Sequence, residues 1–264
     1  MLIKASAHFL SVLSKLPEYF AQNGWKSPND AENGPFQFAM GTEAHYFDFL
    51  SSEPYYQQAF NTTMTASFRR KGRPWFTFFP VEEKFSGKDP TIPLLVDIGG
   101  GQGQDILAFR NAFPHIPGKL TLQDLPVVIE NSMLPGIEAQ EYNFFDEQPV
   151  KGAKAYYLRT VLHDWPDKQA LGILARIREA MNPESLLLIN EVLAPEPNRS
   201  LSSVVADLTM MVSYAALQRT QAQFATLLHK AGFELINVWI PEGIEPESAS
   251  LAQQAVLLEA RMKQ

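Results

Sequence analysis

The sequence contains no cysteine in its 264 residues, which excludes disulfides and every metal site built on thiolates. It has no apolar run near the roughly 18 residues that a membrane helix needs. It lacks a positive charge excess. The 22 Lys and Arg stand against 29 Asp and Glu, for a net charge of −7, and such an acidic balance argues against a general nucleic-acid binder. The opening stretch, MLIKASAHFLSVLSKL, is partly apolar, but His8 and Ser11 interrupt it and no small-residue cleavage site follows, so it does not read as a signal peptide. The expectation is a soluble, cytoplasmic protein with neither a nucleic-acid nor a membrane partner. No obvious ligand cluster suggests a metal, and no internal repeat or low-complexity stretch is visible.

What is present is 45% hydrophobic residues, enough for one large domain or for a domain with an accessory region. The chain is organised around Leu94–Gly103, LLVDIGGGQG. Leu94, Leu95, Val96 and Ile98 read as a strand buried on both faces, Gly99, Gly100 and Gly101 as a turn where backbone passes close to something bulky, and Asp105 to Phe113 as the helix that packs back. Strand, glycine turn and helix open a nucleotide-type α/β fold. The spacing differs from the G-x-G-x-x-G of a dinucleotide binder.

Before this unit, residues 1 to about 21 have apolar positions at helical spacing (Phe9, Leu10, Leu13, Leu16, Phe20). If exposed, the face with Phe9, Leu13 and Phe20 favours a homodimer or another partner. A polar, turn-rich stretch follows from Asn23 to Pro35. Aromatics then crowd residues 36–70, with helices expected near Glu43–Leu50 and Pro54–Ser67. They either line a pocket for a flat apolar substrate, with Phe36 and Phe60 as candidates, or pack the helices. Arg69, Arg70, Lys71 and Arg73 read as the solvated end of a helix or as a contact for a phosphate or acidic partner. The polar break KFSGKDPTIP divides the chain into a helical linker, substrate-lid and possible dimerisation region, 1–87, and a cofactor-binding domain, 88–264.

After the first unit, strands are expected at Leu120–Leu122, Glu138–Phe145, Ala155–Leu162, Ser185–Leu193, Glu234–Ile240 and Ala255–Met262. Helices are expected at Val127–Ser132, Lys168–Met181 (capped by Asp167), Leu201–Leu217 and Thr220–Ala231. This alternation indicates an α/β fold, a doubly wound and mostly parallel sheet with a terminal antiparallel strand, preceded by a helical region. Ligands in such sheets sit beyond the carboxyl ends of the strands, where Gly99–Gly103, Asp124, Phe144–Phe145, His163 and Glu191 converge. Asp124 can accept two hydrogen bonds from a ribose diol, or cap a turn before Pro126. His163 can take a proton from a phenol or alcohol, with Glu191 as its orienting carboxylate. Asp164 could cap the coming helix, and Trp165 reads as packing.

LLVDIGGGQG, LQDLP, YYLRTVLHDWPD, LLINEVLAP and QRTQAQFATLLHKAGF, in this order, resemble the class I S-adenosylmethionine-dependent O-methyltransferases of the plant caffeate and flavonoid type and their fungal secondary-metabolism relatives. GPFQFAMGTEAHYFDFL resembles the region before the cofactor domain there, so the resemblance spans nearly the whole chain. It implies a Rossmann-like methyltransferase fold with a seven-stranded sheet and S-adenosyl-L-methionine as cofactor. By this resemblance Asp97 and Gly99–Gly103 surround the methionine part, Asp124 holds the ribose, Leu125 and Phe144 flank the adenine, and Arg159 is a basic cofactor contact. His163 matches the general base, Glu191 one of its two steering carboxylates, and Met210 a methionine that sandwiches an aromatic acceptor. The implied reaction is O-methylation of a phenolic or enolic, aromatic or polyketide-like small molecule.

Three features depart from the family pattern. Gln218 stands where the second steering carboxylate is expected, which weakens support for an imidazolium. Asn143 replaces an acidic residue before Phe144 and Phe145, at the adenine site. The family's N-terminal winged-helix dimerisation region, on the order of a hundred residues, has no counterpart, so the resemblance implies a truncated chain, a gene-model error or a shortened member. Two alternatives follow: a cyclase or pericyclase that binds the cofactor without methyl transfer, and a silent subunit paired with a full-length homologue.

Overall fold

The computed structural model describes residues 2–68, 73–85, 89–129, 134–194, 200–243 and 255–263. Its centre is β1 (Pro93–Ile98), every residue of which after Pro93 is buried. Alternate side chains of a strand serve opposite faces of a sheet, and β1 needs an apolar layer on each. β2 (Lys119–Asp124), β3 (Glu138–Glu141), β4 (Ala155–Arg159), β5 (Leu186–Val192), β6 (Phe233–Trp239) and β7 (Ala255–Met262) complete one seven-stranded sheet in the order β3-β2-β1-β4-β5-β7-β6. The pairs among β1 to β5 are parallel, whereas β7 runs antiparallel to both β5 and β6. This is the expected mostly parallel α/β sheet.

One face is covered by α8 (Asp167–Ala180) and α10 (Gln221–Lys230), whose Ile173, Leu174, Ile177, Phe224 and Leu227 pack with Val96, Ile98, Leu158 and Ile189. The other is covered by α6 (Gln104–Ala112) and by the segment holding a 3-10 turn, Trp75–Thr77, and α5 (Val81–Lys84). There the Trp75 ring stacks on Phe109 with centroids 5.5 Å apart. The buried Glu259 of β7 ties α5 and β6 together, accepting from Lys84 Nζ at 2.7 Å and Trp239 Nε1 at 2.9 Å. Between the first and second of these strands lies α6, and α7 (Pro126–Ile129) follows β2.

The helices before β1 are α1 (Leu2–Asn23), α2 (Pro35–Met40), α3 (Tyr46–Ser52) and α4 (Pro54–Phe68). α9 (Leu201–Tyr214) packs against α1 and α2 around Val12, Phe36 and Val212. Phe9 and Leu13 join that cluster, and Phe20 stacks on Trp25 at 5.6 Å. The apolar face that would favour a partner if exposed is therefore largely used inside the chain.

Other expectations need correction. α2 lies partly where a turn is expected: Gly34 and Pro35 open it, with the Gln37 side chain accepting from the Gly34 N–H at 3.0 Å. β3 ends at Glu141, because Asn143 Oδ1 accepts the Phe145 N–H at 3.1 Å and turns the chain. β4 ends at Arg159, and α9 at Tyr214, where Ala215 adopts a left-handed conformation. Asp167 makes no cap; it is the first residue of α8 and pairs with Arg219 at 2.8 Å. Arg69, Arg70 and Lys71 lie outside the described residues, as does the end of the helix expected at Val127–Ser132.

Candidate active site

A cavity of about 510 Å³ opens beyond the carboxyl ends of β1, β2 and β4. Its floor is the glycine turn, which extended side chains cannot occupy. A Cβ on Gly100 would lie 2.6 Å from Asp97 Cγ and 2.5 Å from Leu122 Cδ1. Gly101 has φ +60, a conformation that costs an ordinary residue about 1 kcal/mol or more. The turn is anchored by Asp124, whose Oδ2 accepts the Gly101 N–H at 2.8 Å and whose Oδ1 accepts the Leu125 N–H at 2.7 Å. Burial raises the pKa of Asp124, against these two hydrogen bonds. Its lone pairs beyond those two still face the cavity that it lines.

Asp97 is buried at the cavity wall; no side-chain donor among the described residues bonds to its carboxylate oxygens, and the Ile106 amide faces them without reaching good hydrogen-bond geometry. Its pKa is held well above the usual carboxylate range by burial and by the charges of Asp105 and Asp124, with Arg159 and the Ile106 amide opposing more weakly. An unpaired buried polar group costs about 1–3 kcal/mol. A cationic ligand group there would remove that cost. Arg159, also on the wall, is held by Asp105 through Nη1 at 2.6 and 2.7 Å.

Phe144, Leu125 and Asn143 line the same cavity. Phe144 and Phe145 meet the Trp165 ring edge-on at 5.6 and 4.8 Å. Trp165 stacks on His45 at 4.3 Å and 16°. Phe60 lines the cavity. Phe36 does not: it is 1% exposed and belongs to the α1–α2–α9 cluster. Met210, half-buried on α9, and Gly103, which opens α6, are not on the cavity wall either.

Thr160 leaves β4 with φ 49, a strained conformation for a β-branched residue, and turns the chain into a 3-10 turn, Leu162–Asp164. His163 therefore sits on this turn rather than at the end of a strand. Its Nδ1 is 3.2 Å from Gln218 Nε2 and 3.8 Å from Glu191 Oε2, and its backbone N–H donates to Glu191 Oε1 at 3.3 Å. Its Nε2 is 3.3 Å from Asp164 Oδ1. Asp164, not His163, is on the cavity wall. The three residues expected to work together, His163, Glu191 and Gln218, are thus gathered, with Asp164 as a fourth.

Two further residues carry weight that the sequence reading passed over. Buried Arg219 donates to the carbonyls of Leu162 (2.5 Å) and Trp165 (2.8 Å), and so clamps both ends of the His163 turn. Its only sequence signal is its place beside Gln218. His45, at the start of α3, lines the cavity and carried no signal at all.

The residues present fit S-adenosylmethionine. The buried Asp97 carboxylate, with no side-chain donor among the described residues, suits the ammonium of its methionine part, the glycine turn leaves room for a flat or bulky group, Asp124 suits the ribose hydroxyls, and Phe144 and Leu125 suit the adenine. No group of three or more His, Cys, Asp or Glu among the described residues is arranged to hold a metal ion.

Residues 26–234 match the O-methyltransferase domain family. The chain is 40% identical over 227 residues to the O-methyltransferase mfmE of Annulohypoxylon moriforme, covering 85% of this chain and 56% of that protein. It is 38% identical over 226 residues to the demethylsterigmatocystin 6-O-methyltransferase of Aspergillus flavus, covering 84% and 57%. The chain thus spans a little over half the length of these curated relatives. Among solved structures, OxaC in complex with sinefungin and meleagrin superposes with a TM-score of 0.84 at 32% identity, covering 96% of this chain and 63% of that one. LepI in complex with S-adenosylmethionine gives 0.84 at 31%, covering 96% and 64%. Residues 26–234 cover more than half of the chain, and with these relatives the chain belongs to the O-methyltransferase domain family.

Proposed function

We propose that this chain carries the catalytic part of an enzyme that moves a methyl group from S-adenosylmethionine to a hydroxyl of a flat phenolic or enolic small molecule in secondary metabolism. The observation that carries the reading is the His163 cluster beside a cavity whose buried Asp97 carboxylate suits the cofactor's ammonium. S-adenosylmethionine, when bound, supplies an electrophilic methyl group. The protein aligns the acceptor and takes its proton. His163 is the base, with Nε2 the receiving atom. That role requires Nδ1–H to donate, which Gln218 allows when its amide presents Oε1; amide orientation is set by the surrounding network, and Oε1 has no other partner among the described residues. The imidazolium then formed faces Asp164 and Glu191, so Asp164 supplies the second carboxylate that Gln218 does not. Phe60, Phe47 and Trp165 form the flat-ring wall, and α3 and α4, which bring Phe47, Ser51, Gln57 and Phe60 to the cavity, act as its lid.

A second reading has its own support: one superposed structure is described as a pericyclic reaction enzyme, with a TM-score of 0.84 at 31% identity. Gln218 would suit a neutral hydrogen-bonding His163 in such a site. One experiment separates the two. Purified protein is incubated with S-adenosylmethionine and a panel of hydroxylated aromatic and polyketide-type acceptors, and S-adenosylhomocysteine is measured with product mass. Methyl transfer yields both in equal amounts; conversion of an acceptor without S-adenosylhomocysteine would refute the methyltransferase reading.

A further inference from the structure

His45 is the N-cap of α3, its Nδ1 accepting the Phe47 N–H at 3.3 Å. Ser, Thr, Asp or Asn would cap the helix with an oxygen; what histidine adds is a second nitrogen. Burial pulls its pKa down to about 4, so the ring is neutral near pH 7. With Nδ1 accepting, the proton is on Nε2. That Nε2 is buried from water and has no partner among the described residues, although His45 lines the cavity. The ring lies flat on Trp165, and through Phe144 this aromatic wall reaches the glycine turn. A donor that neither protein nor solvent satisfies, set at the edge of a flat wall, is matched by an acceptor atom lying in the plane of a flat ring.

We propose that His45 is a specificity-determining residue of this cavity, its Nε2–H donating to an in-plane lone pair, a ring nitrogen or a conjugated carbonyl oxygen, of a flat ligand stacked along the Trp165 wall. Phe47, whose ring centroid is 5.4 Å from that of His45, borders the same part of the cavity. Two ligands offer this chemistry: the adenine ring of the cofactor and an aryl ketone or quinone acceptor. The proposal rests on the reading that the cavity takes the cofactor beside a flat acceptor. Its test reads binding alone, so it stands or falls separately from methyl transfer.

S-adenosylhomocysteine is titrated calorimetrically into the wild-type protein, His45→Phe, which keeps a ring on Trp165, and His45→Ser, which keeps the helix cap. 1-Hydroxyanthraquinone and 1-hydroxyanthracene, of one shape with and without carbonyls, are then titrated into each protein saturated with S-adenosylhomocysteine. If adenine is the partner, S-adenosylhomocysteine binds both variants roughly 3- to 10-fold more weakly. If the acceptor is the partner, wild type prefers the quinone by roughly the same factor and both variants lose the preference. Unchanged S-adenosylhomocysteine affinity together with no quinone preference in wild type overturns the proposal, even if the variants melt earlier. Wild-type protein labelled with 15N at its five histidines gives a check without substitution. The His45 Nε2–H resonance moves downfield in the complex, and a resonance that stays in place with ligand bound refutes the hydrogen bond.

Discussion

The His163 Nδ1 atom lies 3.2 Å from an uncharged amide, Gln218 Nε2, while the carboxylate of Glu191 is farther away at 3.8 Å. A carboxylate at position 218 would favour the protonated imidazole. Gln218→Glu is expected to move the acid limb of the kcat/KM–pH profile to higher pH, while cofactor affinity stays the same. An unshifted limb would show that Gln218 does not set the state of His163.

His163→Ala is expected to lower methyl transfer by roughly 10²–10⁴-fold. S-adenosylhomocysteine should bind the variant as it binds wild type, since His163 is off the cavity wall. A rate equal to wild type removes His163 from the role of base.

Asp97 should couple cofactor binding to proton release. Its pKa is raised by burial and by neighbouring carboxylates, so between the usual carboxylate range and that raised value the folded protein holds a proton that the unfolded chain has lost. The stability contributed by this group is present at low pH and falls as pH rises through that interval. Binding a cationic ammonium favours the carboxylate and expels the proton. Calorimetry of S-adenosylmethionine binding in buffers of different ionisation enthalpy should show proton release for wild type and none for Asp97→Asn. The same substitution should weaken cofactor binding.

Asp124→Ala removes both the anchor of the glycine turn and the proposed ribose contact. Weaker S-adenosylhomocysteine binding with little change in acceptor affinity is expected. Equal S-adenosylhomocysteine affinity in the two proteins would exclude the ribose role.

Away from the site, Lys84→Met leaves the buried Glu259 with one side-chain partner among the described residues, Trp239, in place of two. A loss of about 3 kcal/mol in denaturant unfolding is expected. Adding Glu259→Gln should recover most of it. If the double variant is no more stable than the single, the two residues are not coupled.

The sheet was legible because parallel strands buried on both faces are near-continuous apolar runs, as in Leu94–Ile98 and Leu186–Ile189. Where local polar contacts overrule apolar pattern, reading fails. Tyr142, Phe144 and Phe145 look like a continuing strand, but one Asn143 hydrogen bond ends it. Aromatic content cannot distinguish wall from core: Phe60 lines the cavity and Phe36 is enclosed between helices. The apolar runs before Asp124 and His163 and around Glu191 placed these residues at the carboxyl side of the sheet, though His163 sits on a turn beyond β4 and Glu191 within β5. Arg219 and His45 were not, because each acts on residues far away in sequence, on the Leu162 and Trp165 carbonyls and on the Trp165 ring.

The position of β7 bears on the timing of synthesis. It follows β6 in the chain, yet it lies between β5 and β6 and is the strand that joins them. While the chain is still emerging from the ribosome, β6 has no neighbour in the sheet and β5 has one open edge, each with unpaired backbone groups. Domains generally fold as units during translation, but this sheet cannot become continuous until Ala255–Met262 has been made. A frameshift or stop codon shortly before that strand would leave the glycine turn and the His163 turn encoded, on a sheet divided in two.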